Sequence, residues 1–355
     1  MNTRLLSIGT ATPRGSIAQH DALRMARELA PAGVPEAVLE RIHRACGIET
    51  RHASIIDPLH GGQTLRAHDS GPNGPTTSVR IDRYAAAAAP LAIGASSLAL
   101  RNAAITPDRV THLICASCTG FTAPGVDQAL VWGLGLRKDI GRTVIGFMGC
   151  HAAINALRVA HDAVRADPRA VALVCCVELC SLHMQFTDRT DRLIANALFA
   201  DGAAAAVVAQ SDDPTAPAIR RVASSLIPES GELMGWCIGD HGFEMTLSPR
   251  VPEVLARTAG PWVDGVLSAT GLTREHIGGW AIHPGGPKII DSVAAALNLA
   301  EGSVRESRDV LRKFGNMSSP TVLFILDELS RAKRPRPWVA MAFGPGLAAE
   351  MIVLD

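Results

Sequence analysis

The sequence predicts a layered α/β fold made of two similar mixed-sheet halves, on three observations. Short β-branched or apolar runs alternate with helical patterns along the whole chain, as strands covered by helices require. With 355 residues, 47% of them hydrophobic, and a mean hydropathy of +0.17, the chain is long and apolar enough for two cores. The polar, proline-bearing stretch "QSDDPTAPAIR" near 210–220 offers the boundary between them, giving an N-terminal unit over 1–215 and a C-terminal unit over 216–355.

Strands of the first half are expected at "LLSIG", "HLICAS", "TVIGFM", "AVALVCCVE" and "AAAAVVAQ". Those of the second are expected at "RRVASSLI", "GFEMTLS", "GWAIHP", "WVAMAFG" and "EMIVL". Long helical patterns cover 17–30, 78–103, 251–271 and 318–333. The last carries a start signal, with Ser318 or Ser319 as N-cap and Pro320 in the first turn.

Composition excludes several functions. Lys+Arg and Asp+Glu both number 34 and no basic stretch is sustained, which argues against a nucleic-acid partner. The start, "MNTRLLSIGTATP", has too short an apolar run for a signal peptide. The longest uncharged stretch, Tyr84 to Leu100, is mostly Ala and Ser, contains Pro90 and falls short of a membrane span. Eight cysteines at irregular spacing suit reduced thiols, so a cytoplasmic protein is expected. Cys115 and Cys118 form a lone C-x-x-C without a second pair at zinc spacing, and no metal site is expected.

Three residues suggest chemistry. Cys150, in "GFMGCHAAINALR", follows a strand pattern taken as buried and opens a helical face of Ile154, Leu157, Ala160 and Val164. There the helix macrodipole and free N–H groups favour a thiolate. His283 leaves an apolar strand into Pro-Gly-Gly, and Asn316 lies in a Gly-Asn turn ahead of an apolar helix. Taken singly, each has an ordinary structural reading. Together they sit at strand-to-helix transitions, where ligands of open α/β sheets collect. His151 is a competing base, but the next side chain on a helix points about 100° away, which favours His283.

These residues and their surroundings resemble the type III polyketide synthases, the chalcone- and stilbene-synthase-like branch of the thiolase fold. The resemblance covers nearly the whole chain and rests on "GFMGCHAA", "ALFADGAAA", "IHPGGPKIID", "GNMSSPTVLFIL" and "AFGPGLAAEMIVL". It implies a thiolase-like fold, Cys150 as acyl-accepting nucleophile, His283 and Asn316 as its partners and Phe199 as a gatekeeper aromatic. It also implies acyl-CoA and malonyl-CoA as substrates, no retained cofactor and a homodimer. An imidazolium beside the thiol would hold it as thiolate, and His283 with Asn316 would stabilise the enolate oxygen left by decarboxylation.

The resemblance places Met245 where plant members carry a second gatekeeper phenylalanine, with Phe243 two residues away. It puts Cys118, Thr119, Cys180, Leu182, His183 and Ser318 at the pocket, a lining less aromatic than a phenylpropanoid starter needs. Arg41 and Arg44 stand where the family binds CoA phosphates, the next cation being shifted to Arg51. Ala123 replaces a methionine that reaches the partner subunit. "ELCSLHMQ" is similar to the branch forming alkylpyrones and alkylresorcinols, which implies a fatty acyl starter, with Leu182 facing the chain. Cys118 leaves open a malonyl-CoA-only, naphthalene-forming synthase. The nearest rival is an initiating ketoacyl synthase fed by acyl carrier protein, against which Pro345 in "FGPGL" speaks. A cysteine hydrolase or acyl-binding protein is the rival of a different class.

Overall fold

The computed structural model describes residues 2–30, 33–55 and 73–355. The first half runs β1 (Asn2–Ala11), β2 (Ser16–Ala18), α1 (Gln19–Leu29), α2 (Glu36–Ala45), β3 (Thr50–His52), α3 (Thr77–Asn102) and β4 (His112–Ser117). It continues with α4 (Val126–Leu134), β5 (Gly141–Gly146), α5 (Ala152–Ala166), β6 (Val171–Leu179), α6 (Thr190–Leu198) and β7 (Asp201–Ser211). The second half runs β8 (Ile219–Leu226), β9 (Met234–Gly239), β10 (Gly242–Leu247), α7 (Val251–Ser268), β11 (Gly279–Ile282) and α8 (Pro287–Ala296). It ends with α9 (Arg305–Phe314), α10 (Thr321–Arg331), β12 (Trp338–Gly344) and β13 (Ala348–Leu354).

Two mixed sheets carry the fold. The first has the order β1-β7-β6-β4-β5, and the second β11-β12-β13-β8. In the first, β1, β7 and β6 are successively antiparallel while β6, β4 and β5 are parallel. From β8 through β13 and β12 to β11, the second follows the same order with two antiparallel pairs and then one parallel pair, one parallel strand fewer than the first. The expected strand "GFEMTLS" is not a fifth member of it. As β10 it pairs with β9 in a separate hairpin, and β9 between its glycines gave too little β-branched pattern to be foreseen.

Helices α5 and α10 lie between the sheets and share one core with the facing sides of both. On the first sheet's outer side lies α3, and on the second's lie α7 and α8. Buried on both faces, β6 sends Ala172, Val174 and Cys176 to the central core and Leu173, Cys175 and Val177 to the outer one. Ala88, Ala92, Ala95 and Ala99 make a fully buried stripe that lets α3 sit close on β1, β7 and β6.

The strand before Cys150 is not buried as expected. It is β5, the edge of its sheet, and nearly all of it is exposed. The last helix starts at Thr321 rather than at 318, and neither serine caps it. Ser318 takes a left-handed φ of +58°, and both serine hydroxyls turn to buried partners described below. No helix among the described residues is long and apolar enough to cross a membrane.

The alanine stripe allows no larger side chain without moving α3. Ala95→Leu should lower stability by about 1–3 kcal/mol, read as a fall in the urea midpoint at unchanged slope.

Candidate active site

After β5 the chain turns through Phe147 (φ +56°) and Gly149 (φ +67°) into a single 3₁₀ turn, residues 149–151, which hands Cys150 to the start of α5. Gly149 is required twice over: its φ is left-handed, and a Cβ there would stand 2.5 Å from Pro345 Cδ. His151 is spoken for. Its buried ring bonds Asn155 Oδ1 through Nδ1 at 2.7 Å and packs on Gly344.

His283 follows β11 and extends its ladder, its N–H donating to Met341 O at 2.9 Å. The ring is buried, and neither Nδ1 nor Nε2 has a hydrogen-bond partner. Two orphaned polar atoms in so dry a place are costly unless a ligand meets them. Asn316 is held by its backbone: its N–H donates to Leu198 O at 3.0 Å and its carbonyl accepts Ala200 N–H at 2.8 Å, a parallel bridge across Phe199. Its Oδ1 accepts Ser318 N–H at 2.8 Å, which leaves the NH₂ group to bond the Cys150 sulfur.

One cavity brings the three together. Cys150, His283 and Asn316 line it with Phe199, Met234, Met245, Leu247 and Phe343. A neighbouring cavity shares Cys150, Phe199 and Met245 and adds Cys118, Thr119, Cys180, Ser318 and Trp236. A third, around the same Phe199 and Met245, is lined by His183, Trp236 and Phe243. Every predicted pocket residue therefore reaches these cavities except Leu182, which is buried in the outer core of the first half. In the 3₁₀ turn of residues 180–183, neighbouring side chains point about 120° apart, which turns His183 out of that core and Leu182 into it.

The wall is more aromatic than expected. Phe243 stacks on His183 at 4.1 Å between ring centroids, and Trp236 meets both edge-on. Trp236 Nε1–H donates to Cys118 O at 2.7 Å, and His183 bonds Thr119 O and Phe243 N–H. Trp236 escaped the sequence reading because β9 did.

Glu178 was also missed, although a lone acid in the apolar run "AVALVCCVELC" is the signal for it. It is fully buried at the end of β6 and accepts Thr119 Oγ1 at 2.7 Å, Ser319 Oγ at 2.6 Å and Cys118 N–H at 3.0 Å. Cys118 Sγ also lies 3.5 Å from Ser318 Oγ. Arg41 and Arg44 stand exposed on α2, with no ion pair among the described residues. Arg51 cannot meet a phosphate: it is 5% exposed and bonds the carbonyls of Asn196 and Phe199.

Burial governs the electrostatics. It pushes the Cys150 thiol up to about 12, against the smaller pull of hydrogen bonds from Ser318 and Asn316, and the nearby Glu178 pushes the same way as burial. Burial, with a smaller push from His151, lowers the His283 imidazole to about 3. Burial thus pulls both groups towards their neutral forms, against the thiolate–imidazolium pair expected from sequence. Such a site can accept a proton at His283, donate hydrogen bonds to an oxyanion, and offer a sulfur nucleophile. No cluster of three or more metal-ligating side chains occurs among the described residues.

The sequence matches the family profiles described as "Chalcone and stilbene synthases, N-terminal domain" over residues 2–214 and the corresponding C-terminal domain over 218–355. It is 35% identical to the alpha-pyrone synthesis polyketide synthase-like Pks18 of Mycobacterium tuberculosis, over 98% of this chain and 90% of that protein. It is 34% identical to the 1,3,6,8-tetrahydroxynaphthalene synthase of Streptomyces peucetius subsp. caesius, over 99% and 93%. The structure superposes on crystalline PKS-I from the brown alga Ectocarpus siliculosus with a TM-score of 0.93 at 31% identity, covering 100% of this chain and 98% of that one.

The lowered imidazole sets an acid limit. Between its ordinary value of 6.5 and about 3, the unfolded chain binds a proton that the folded ring refuses, so stability falls as pH drops through that window. His283→Gln has no such proton to gain. It should lose less stability than the parent between pH 6.5 and about 5, measured as the change in urea midpoint.

Proposed function

The chain belongs to the chalcone and stilbene synthase family of type III polyketide synthases, acyltransferases that catalyse decarboxylative condensation, and from that premise we propose that Cys150, His283 and Asn316 are its catalytic residues. The observation carrying this is the buried, partnerless His283 ring in one cavity with the thiol and the Asn316 amide. The thiol attacks the carbonyl of an acyl-CoA, its proton passes to His283, and the leaving CoA thiolate takes that proton back. Proton transfer makes both charges together and side by side, which costs less in a dry site than making either alone.

Malonyl-CoA then loses CO₂, and the electron pair of the broken bond collapses to an enolate. The His283 N–H and the Asn316 NH₂ stabilise its oxygen, one such donor contributing about 3–4 kcal/mol. The enolate carbon attacks the acyl-thioester, and the Cys150 sulfur leaves. Phe199 presents an apolar wall that disfavours the malonyl carboxylate and Met245 lines the same cavity, while Cys118, Thr119, Cys180, His183 and Ser318 shape the space for the product. CoA thioesters are substrates in this scheme, and no cofactor is retained.

The finer reading is a fatty acyl starter closed to a pyrone or resorcinol-type product. An apolar cavity beyond Phe199, lined by Ile17, Ala22, Met25, Ala26 and Ile55, supports an aliphatic chain; Leu182 no longer does. Cys118 in the cavity wall supports a second reading, malonyl-CoA as both starter and extender with a naphthalene product. The relatives named for a pyrone and for a naphthalene are almost equally similar.

The same proposal assigns 1–215 to the nucleophile-bearing half and 216–355 to the half with His283 and Asn316, in line with the two profile matches. It assigns CoA phosphates to Arg44 and Arg41, and a reducing cytoplasmic setting that suits eight free cysteines. A homodimer is supported by the exposed edge β5, where Val144 is 63% exposed, together with exposed Phe121 and Trp132. Light scattering should give twice the chain mass of 37.3 kDa.

Cys150→Ala should abolish polyketide formation yet keep part of the CO₂ release from malonyl-CoA, because His283 and Asn316 remain. Radiolabelled CO₂ and product mass spectrometry measure both, without carrier protein. Polyketide synthesis at the parental rate in that variant would end the assignment. Across a panel of acyl-CoA starters, turnover with long chains should exceed that with malonyl-CoA alone, and the reverse selects the naphthalene reading.

A further inference from the structure

Arg51 is buried in β3 and spends its guanidinium on main-chain carbonyls. Nη1 donates to Asn196 O at 2.8 Å and to Phe199 O at 3.1 Å. Both oxygens belong to the end of α6, where a helix leaves its last carbonyls unpaired. A cation is favoured there by the macrodipole as well as by the bonds themselves. The buried Asp201 adds a favourable field without an ion pair to Arg51, its carboxylate accepting the N–H and hydroxyl of both Ser54 and Ser181 at 2.6–2.7 Å.

The side chain also packs against the second strand of the bridge. Gly315, with φ +72°, precedes Asn316, and a Cβ built on it would lie 3.4 Å from Arg51 Cβ and 3.0 Å from Ala200 Cβ. Arg51 therefore bonds the segment ending in Phe199 with its guanidinium, while its Cβ lies close to Gly315, ahead of the segment that begins at Asn316.

We propose that Arg51 is a positioning residue for the condensation: by holding the Phe199 carbonyl at the end of α6, its guanidinium sets where the Phe199 ring and, through the main-chain bridge, the Asn316 carboxamide stand relative to Cys150. The inference rests on the reading that those two groups act on the malonyl unit. Nothing in it requires Arg51 to touch substrate. A contact with CoA phosphate would raise KM, whereas misplacement of the oxyanion donor and the apolar wall lowers kcat.

The test compares Arg51→Gln, Arg51→Lys, Phe199→Ala and the double variant Arg51→Gln/Phe199→Ala. Decarboxylation and product formation are followed against malonyl-CoA concentration, and alkylation of Cys150 by iodoacetamide reports an intact nucleophile turn. Arg51→Gln should lose about 10- to 100-fold in kcat, the scale of a displaced catalytic group, with KM within about twofold and unchanged alkylation. Arg51→Lys, which keeps the charge but not the fork, should recover part of the loss. The double variant should be little worse than the poorer single one, because both act through one element. Raised KM with parental kcat, or losses that multiply, would overturn the proposal. If Arg51→Gln does not fold, Arg51→Lys carries the test, and a folded lysine variant with parental kcat would overturn it equally. Parental activity in Phe199→Ala would instead strike the gatekeeper reading, independently of anything Arg51 does.

Discussion

Two main-chain hydrogen bonds, Ala200 N–H to Asn316 O and Asn316 N–H to Leu198 O, fasten the two halves where the site lies. Elsewhere the halves hold separate sheets that share the core around helices α5 and α10. In the proposed roles, the Cys150 sulfur from one half and the Asn316 carboxamide from the other can cooperate only if their separation is fixed to a fraction of an ångström. Side-chain packing between layers would leave that distance to rotamers. A backbone bridge does not, and it puts Phe199 and Asn316 on one short piece of shared scaffold.

The second governing constraint is dryness. A thiol, an imidazole and an amide are all buried here, and burial favours the neutral forms of the first two. This departs from the picture suggested by a thiol at a helix start, where the dipole alone would favour thiolate. The 3₁₀ turn sets Cys150 just ahead of α5, and Glu178 behind it adds a field of the wrong sign. The same dry walls that disfavour charge make each hydrogen bond donated within them stronger.

Much of this was legible in the order of residues. The strands carried by β-branched runs were all present, because a strand buried on both faces, such as β6, has no other composition open to it. The trio was legible because each member lies within two residues of a glycine, in a turn that leaves a local mark. What failed was long-range. Nothing in "TVIGFM" distinguishes a central strand from the edge, since edge status depends on who pairs with it. Leu182 and His183 are neighbours, and only the twist of their turn decides which faces the core. Arg51 reads as a surface cation until its carbonyl partners, about 150 residues away in sequence, come into view. Ser318 and Ser319 carry the chemistry of a helix cap and are used instead to satisfy buried groups.

The hairpin of β9 and β10 pairs with neither large sheet. One face of it, Met234 and Trp236 opposite Leu247 and Met245, forms much of the cavity wall. Wall and frame are therefore separate in their strand pairing. Mutation can remodel the mould in which a product is cast while the layers that aim the thiol stay untouched, so a lineage can change what it makes without re-solving how to fold. Family members of similar overall likeness but different names are the outcome such an architecture allows.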